Sequence, residues 1–99
     1  MGKKIILITG ATSGIGKEAA KVLAKQGNKV IIHGRNKKKT QAVLQELKKE
    51  TGNNEMDMVL ADLESFADIK RMADQFKKKY DHLDVLINNA GNQYGGIRA

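Results

Sequence analysis

The apolar run Ile5-Ile6-Leu7-Ile8 ends in Thr9-Gly10, and two further glycines, Gly14 and Gly16, follow within the next six residues. An aliphatic run without polar alternation, bounded by glycine, predicts a strand buried on both faces over residues 3–9. From Gly14 the apolar period becomes helical. Ile15, Ala19, Val22 and Leu23 form one face, Ala20 and Ala24 lie beside it, and Gly27 is the predicted C-cap. A buried strand that passes through bare backbone directly into a helix restricts the architecture more than any other feature of the chain.

The same alternation continues. Residues 29–33 (KVIIH), 56–61 (MDMVLA) and 84–88 (DVLIN) are predicted strands. A helix is predicted over 37–50, with Thr40, Val43, Leu44 and Leu47 facing inward and Thr51-Gly52-Asn53-Asn54 as its stop. Ser65 suits an N-cap with Asp68 in the first turn. The helix after it carries Phe66, Ile69, Met72, Ala73, Phe76 and Tyr80 at i, i+3, i+4 spacing, the clearest amphipathic pattern in the chain. The order β-α-β-α-β-α-β predicts an α/β fold: a Rossmann-like, doubly wound parallel sheet, truncated to about four strands and three helices.

Ninety-nine residues suit one small domain, placed at 1–91, with an uninformative tail at 92–99. The absence of Cys excludes a disulfide framework and a thiolate metal site. The apolar run after Met1-Gly2-Lys3-Lys4 is too short for a signal peptide or a membrane span, and Ile6 breaks the myristoylation pattern. A cytoplasmic chain is therefore expected. The net charge of +7 raises nucleic-acid binding, but Lys37-Lys38-Lys39 and Lys77-Lys78-Lys79 fall at helix ends and no basic-aromatic alternation is present. No nucleic-acid partner and no membrane span are expected.

Three glycines between a strand and a helix suit a diphosphate. Gly10 permits a sharp exit from the strand, and Gly14 and Gly16 remove Cβ atoms where a phosphate or the strand must come close. The helix N-terminus supplies unpaired N–H groups and partial positive charge, and Thr12 and Ser13 add hydroxyls. The spacing is Thr-Gly-x-x-x-Gly-x-Gly, and it lacks the Gly-Lys-Ser/Thr ending of a P-loop because Glu18 follows Lys17.

Thr9-Gly10-Ala11-Thr12-Ser13-Gly14-Ile15-Gly16 resembles the cofactor motif of the short-chain dehydrogenase/reductase family. Gly34-Arg35-Asn36, Asp62-Leu63 and Asn88-Asn89-Ala90-Gly91 resemble that family's later motifs in order and spacing. Gly16-Lys17-Glu18-Ala19 and the Arg35-Asn36 corner are most similar to its retinol-dehydrogenase-like branch. The resemblance implies that Asp62 contacts the adenine, with Leu63 beside it, and that Asn89-Ala90-Gly91 passes the adenosine side. By itself Asp62 reads equally as a residue leading a helix, and Asn88 or Asn89 as a tie between strands. Cofactor-binding residues are thus expected at Gly10, Thr12, Ser13, Gly14, Ile15, Gly16, Arg35, Asn36, Asp62, Leu63, Asn89, Ala90 and Gly91.

NAD binders place a carboxylate about twenty residues past the glycines, on the ribose hydroxyls. Here the corner carries Arg35, with no acid from Lys29 through Lys39. A guanidinium binds a 2′-phosphate bidentately where a carboxylate repels it, so NADP(H) is the expected cofactor, with Lys37 to Lys39 adding diffuse attraction. Taken alone, Arg35 also reads as a solvated loop residue.

The resemblance implies hydride transfer between nicotinamide and a carbonyl or alcohol, assisted by a Tyr-x-x-x-Lys pair. Tyr80 is followed four residues on by Asp84, and Tyr94 by Arg98 across two glycines. Arginine, with a pKa above about 12, does not replace the catalytic lysine. No catalytic residue and no metal site are therefore assigned. The chain is expected to be the N-terminal, cofactor-binding part of such an oxidoreductase and inactive alone, with a small carbonyl or alcohol substrate only in a full-length form. The alternative is a non-catalytic nucleotide-binding module, or a split-gene subunit that joins another chain. Val85-Leu86-Ile87 is expected to form an exposed apolar edge that favours self-association.

Overall fold

A computed structural model describes residues 3–89. Its elements are β1 (Ile5–Ile8), α1 (Gly14–Lys25), β2 (Lys29–Gly34), α2 (Lys37–Thr51), β3 (Asp57–Leu60), α3 (Phe66–Lys79) and β4 (Val85–Ile87). The four strands form one parallel sheet in the order β3-β2-β1-β4. In register, Ile8 lies between Ile32 and Ile87, and His33 beside Val59.

Parallel pairing requires a crossover after each strand, and strand alternation sorts the side chains onto two faces. Ile6, Ile8, Val30 and Ile32 pack with Ala20 and Ala24 of α1 and with Val43, Leu44 and Leu47 of α2. Leu7, His33 and Leu86 belong to the opposite face and border a cavity shared with Ile69 and Met72 of α3. Helices on both faces make the sheet doubly wound, as the alternating pattern predicts.

Local chemistry sets the helix ends. The Asn36 side chain accepts from the Lys39 N–H, and Gly52 closes α2 in the left-handed region. Ser65 Oγ accepts from the Asp68 N–H at 3.2 Å, as predicted for the start of α3. The C-cap of α1 is Gln26, one residue before the predicted Gly27. Lys17 pairs with Glu46 at 3.0 Å and Lys21 with Glu50 at 3.4 Å, joining α1 to α2.

Two helical faces differ from the sequence pattern. Ile15 and Val22 are 80% and 51% exposed, whereas Gly16, Ala20 and Ala24 face the sheet. Small side chains four residues apart let α1 approach the strands closely, which turns its larger apolar residues outward. On α3 only Met72 is buried, and Phe66 is 90% exposed. This single helix contacts chiefly β3. A helix about 10 Å wide cannot cover four strands spaced about 4.8 Å apart. Among the described residues no helix is long and apolar enough to cross a membrane, and no His, Asp and Glu cluster could hold a metal.

Candidate functional site

Because every strand is parallel, the segments that follow them leave the same edge of the sheet. This edge gathers Gly10 to Gly16, Arg35 and Asn36, Asp62 and Leu63, and Asn88 and Asn89. The neighbours of β1 are β2 on one side and β4 on the other, so the strand order reverses beside it. Such a reversal opens a crevice at the carboxyl ends of the strands.

Gly10 and Gly14 have φ angles of 61° and 59°, in the left-handed region that side chains rarely adopt. A Cβ on Gly14 would meet nothing within 4 Å, so the space above the turn is open. A Cβ on Gly16 would lie 2.6 Å from both the Gly10 carbonyl oxygen and Asn89 Nδ2. Bare backbone at Gly16 therefore lets α1 seat on the turn and on the end of β4. Ser13 is the N-cap of α1, its side chain makes no capping hydrogen bond, and the first turn holds no acid. The N–H groups of that turn lack intrahelical partners, and together with the Ser13 hydroxyl they suit an anion. Thr12 is half-buried beneath them, and Ile15 stands exposed on the first turn.

The turn is tied down from three sides. The Gly10 N–H donates to His33 Nδ1 at 3.0 Å, and the Ala11 N–H donates to the His33 carbonyl at 3.0 Å. The His33 Nε2–H in turn donates to the Ala61 carbonyl at 2.9 Å. Asn89 donates through Nδ2 to the Gly10 carbonyl at 3.1 Å and through its N–H to Thr9 Oγ1 at 2.9 Å. Thr9 Oγ1 also lies 3.1 Å from Asn88 Oδ1, so both asparagines link β4 to the end of β1.

After β2 the backbone is again crowded. A Cβ on Gly34 would fall 2.0 Å from Thr40 Oγ1 and 2.8 Å from Thr12 Cγ2. Thr40 Oγ1 is fixed by donation to the Asn36 carbonyl at 2.6 Å, so it cannot give way. Arg35 is exposed beside the start of α2, whose first turn carries Lys37, Lys38 and Lys39 and no acid. Cations at a helix N-terminus oppose the macrodipole, and here they make one strongly positive corner.

After β3, Asp62 Oδ1 accepts from the Glu64 N–H at 2.9 Å, and the Asp62 N–H donates to Asp68 Oδ2 at 3.0 Å. That backbone hydrogen bond, with Arg71 beside it, holds the Asp68 carboxyl below the usual carboxylate range. Asp62 thus leads the turn into α3, while Ser65 is the cap. Arg35, Asp62, Leu63, His33, Thr9 and Asn88 border one cavity of about 700 Å³. Ala90 and Gly91, and Tyr94 with Arg98, lie outside the described residues.

Tyr80 is remote from this edge. Its hydroxyl donates to Asp57 Oδ2 at 2.6 Å, at the opposite end of β3, and Lys79 Nζ lies 2.5 Å from the same oxygen. Burial, then the hydrogen bond to Asp57 and its negative charge, push the Tyr80 phenol up. A proton-exchanging tyrosine needs the opposite shift.

Sequence patterns alone missed two parts of the site. His33 reads as an ordinary strand-end residue, yet it is 4% exposed and uses both ring nitrogens. The available signal was its place in an otherwise buried strand, where a polar ring must find partners. Gly34 stands in the Gly34-Arg35-Asn36 stretch singled out by the sequence, but the reason for a glycine there has no local signal, because its crowding comes from Thr40 and Thr12.

A family model described as short chain dehydrogenase matches residues 4–98. The chain is 42% identical over 88 residues to human polyprenol dehydrogenase, covering 89% of this chain and 27% of that protein. It is 41% identical over 88 residues to human retinol dehydrogenase 11, covering 89% and 28%. A short chain dehydrogenase from Escherichia coli CFT073, solved in complex with NADPH, superposes with a TM-score of 0.83 at 36% identity, over 92% of this chain and 38% of that one. The chain spans less than a third of the length of these curated relatives.

Proposed function

The chain belongs to the short-chain dehydrogenase family, and from that premise we propose that it is the cofactor-binding part of an NADP(H)-dependent oxidoreductase. The observation that carries this reading is the turn after β1. It has left-handed glycines, open space above Gly14 and a Gly16 position that admits no Cβ. Gly10, Thr12, Ser13, Gly14, Ile15 and Gly16 hold the diphosphate through backbone N–H groups and hydroxyls. Arg35 and Asn36 take the 2′-phosphate side, where three lysines without an acid also favour an added anion. Asp62 and Leu63, with Asn89, Ala90 and Gly91, border the adenosine side, which makes residues 1–91 the cofactor-binding unit. The NADPH complex of the Escherichia coli relative supports this choice of cofactor. When bound, NADPH would supply a hydride to a carbonyl, and NADP+ would accept one from an alcohol.

The chain by itself binds cofactor without turnover. Tyr80 is the sole described tyrosine, and its hydroxyl is held by Asp57 away from the site. This same observation favours the second reading, a non-catalytic nucleotide-binding module or a subunit completed by another chain. Titration of NADPH and NADH into the chain, followed by nicotinamide fluorescence, tests the proposal. NADPH should bind more tightly, and Arg35→Ala should weaken it about tenfold or more while leaving NADH unchanged. Absence of NADPH binding would overturn the assignment. Reduction of carbonyl substrates by the chain alone would overturn the claim of inactivity.

A further inference from the structure

His33 lies between the two halves of the crevice. Its ring accepts from the Gly10 N–H at Nδ1 and reaches the Ala61 carbonyl at Nε2, 3.0 Å and 2.9 Å away. Since a backbone N–H can only donate, Nδ1 carries no proton, and the ring is the neutral Nε2–H tautomer. Ala61 directly precedes Asp62, and Gly10 begins the glycine turn. One imidazole thus spans from the diphosphate side to the adenine side. Its own carbonyl also takes the next turn amide, that of Ala11, at 3.0 Å.

Gly10 is the residue that needs holding. A glycine at φ 61° has many alternative conformations, and loss of its amide partner would release them. His33 is 4% exposed, so water has little access to replace its ring. We infer that His33 is a positioning residue for cofactor binding, bracing the glycine turn against the end of β3 so that the turn meets the cofactor preformed. This rests on the cofactor-binding reading above.

Isosteric variants separate the two ring contacts. In His33→Asn the amide oxygen stands near the Nδ1 position and can still accept from Gly10, but it cannot reach Ala61. In His33→Gln the amide nitrogen stands near Nε2 and can donate to Ala61, leaving Gly10 without its acceptor. His33→Leu removes both contacts. NADPH affinity should be held within about threefold by His33→Asn and fall about tenfold in His33→Gln and His33→Leu, the size of one hydrogen bond. Thermal midpoints need not follow that order, so affinity should track the Nδ1 acceptor and not stability. Equal affinity in all variants, or affinity that simply follows the thermal midpoint, would overturn the inference.

Wild-type NMR gives a second test should the variants fail to fold. A long-range proton–nitrogen spectrum should show His33 as the Nε2–H tautomer, with slow exchange of the Gly10 amide. An Nδ1–H tautomer or a fast-exchanging Gly10 amide would contradict the brace. Failure of the wild-type chain to bind NADPH would instead count against the cofactor reading, leaving the brace to be judged by Gly10 exchange.

Discussion

On the α1–α2 face of the sheet, Ile8, Ile32 and Leu47 have no exposed surface. On the α3 face, Leu86 is 56% exposed, Phe66 is 90% exposed, and a cavity of about 700 Å³ borders the strands. The difference follows from crossover arithmetic. Among the described residues two helices serve one face and a single helix serves the other, so there one face is a closed core and the other is open beside the site. The polar residues of the open face, His33, Thr9 and Asn88, organise the glycine turn together with Asn89.

Substitution on the closed face should destabilise most. Leu47→Ala should cost about 2–5 kcal/mol in urea unfolding, whereas Phe66→Ala should stay within about 0.5 kcal/mol. Comparable losses at both positions would dissolve the contrast between the faces. Gly34→Ala comes next, at about 1–3 kcal/mol, because the new methyl would collide with the fixed Thr40 hydroxyl. A neutral result there would mean that α2 can shift away from β2.

Tyr80→Phe should destabilise by about 1 kcal/mol through the lost hydrogen bond to Asp57. Burial pushes the Asp57 carboxyl up, but hydrogen bonds from Lys79, Tyr80 and the Met58 N–H outweigh it and leave Asp57 below its ordinary range. A carboxylate held low stabilises the fold above its unfolded value of about 4, and that contribution disappears as pH falls through the folded value. Acid unfolding of Tyr80→Phe should therefore lose less stability than wild type between neutral and strongly acidic pH, measured by denaturant midpoints at each pH.

The smallest effect on stability belongs to Leu86→Ser on the open edge, within about 0.5 kcal/mol. We expect this variant to reduce self-association through β4 in sedimentation velocity, since a β4 edge with an exposed leucine invites pairing. A wild-type chain that sediments as a monomer would remove that expectation.

The same contrast explains how much was legible beforehand. The inward face of α2, Thr40, Val43, Leu44 and Leu47, is buried as its spacing predicts, because large apolar residues met a sheet directly beneath them. On α1 the buried residues are Gly16, Ala20 and Ala24, whose small side chains give a weak hydrophobic signal beside Ile15 and Val22. On α3 the strongest pattern meets the least covering surface. In the candidate site, the turn glycines and the Arg35 corner are marked in the sequence by local backbone and charge. The brace through His33 was not, since it depends on Gly10 and Ala61 arriving from two other strands.

Amide chemical shifts followed through an NADPH titration report whether the glycine turn holds the cofactor. The largest changes should fall on residues 10–16, with Arg35 and Asp62 following and the start of β3 at Asp57 unmoved. Shifts confined to the α1–α2 face, or none at the glycine turn, would contradict it.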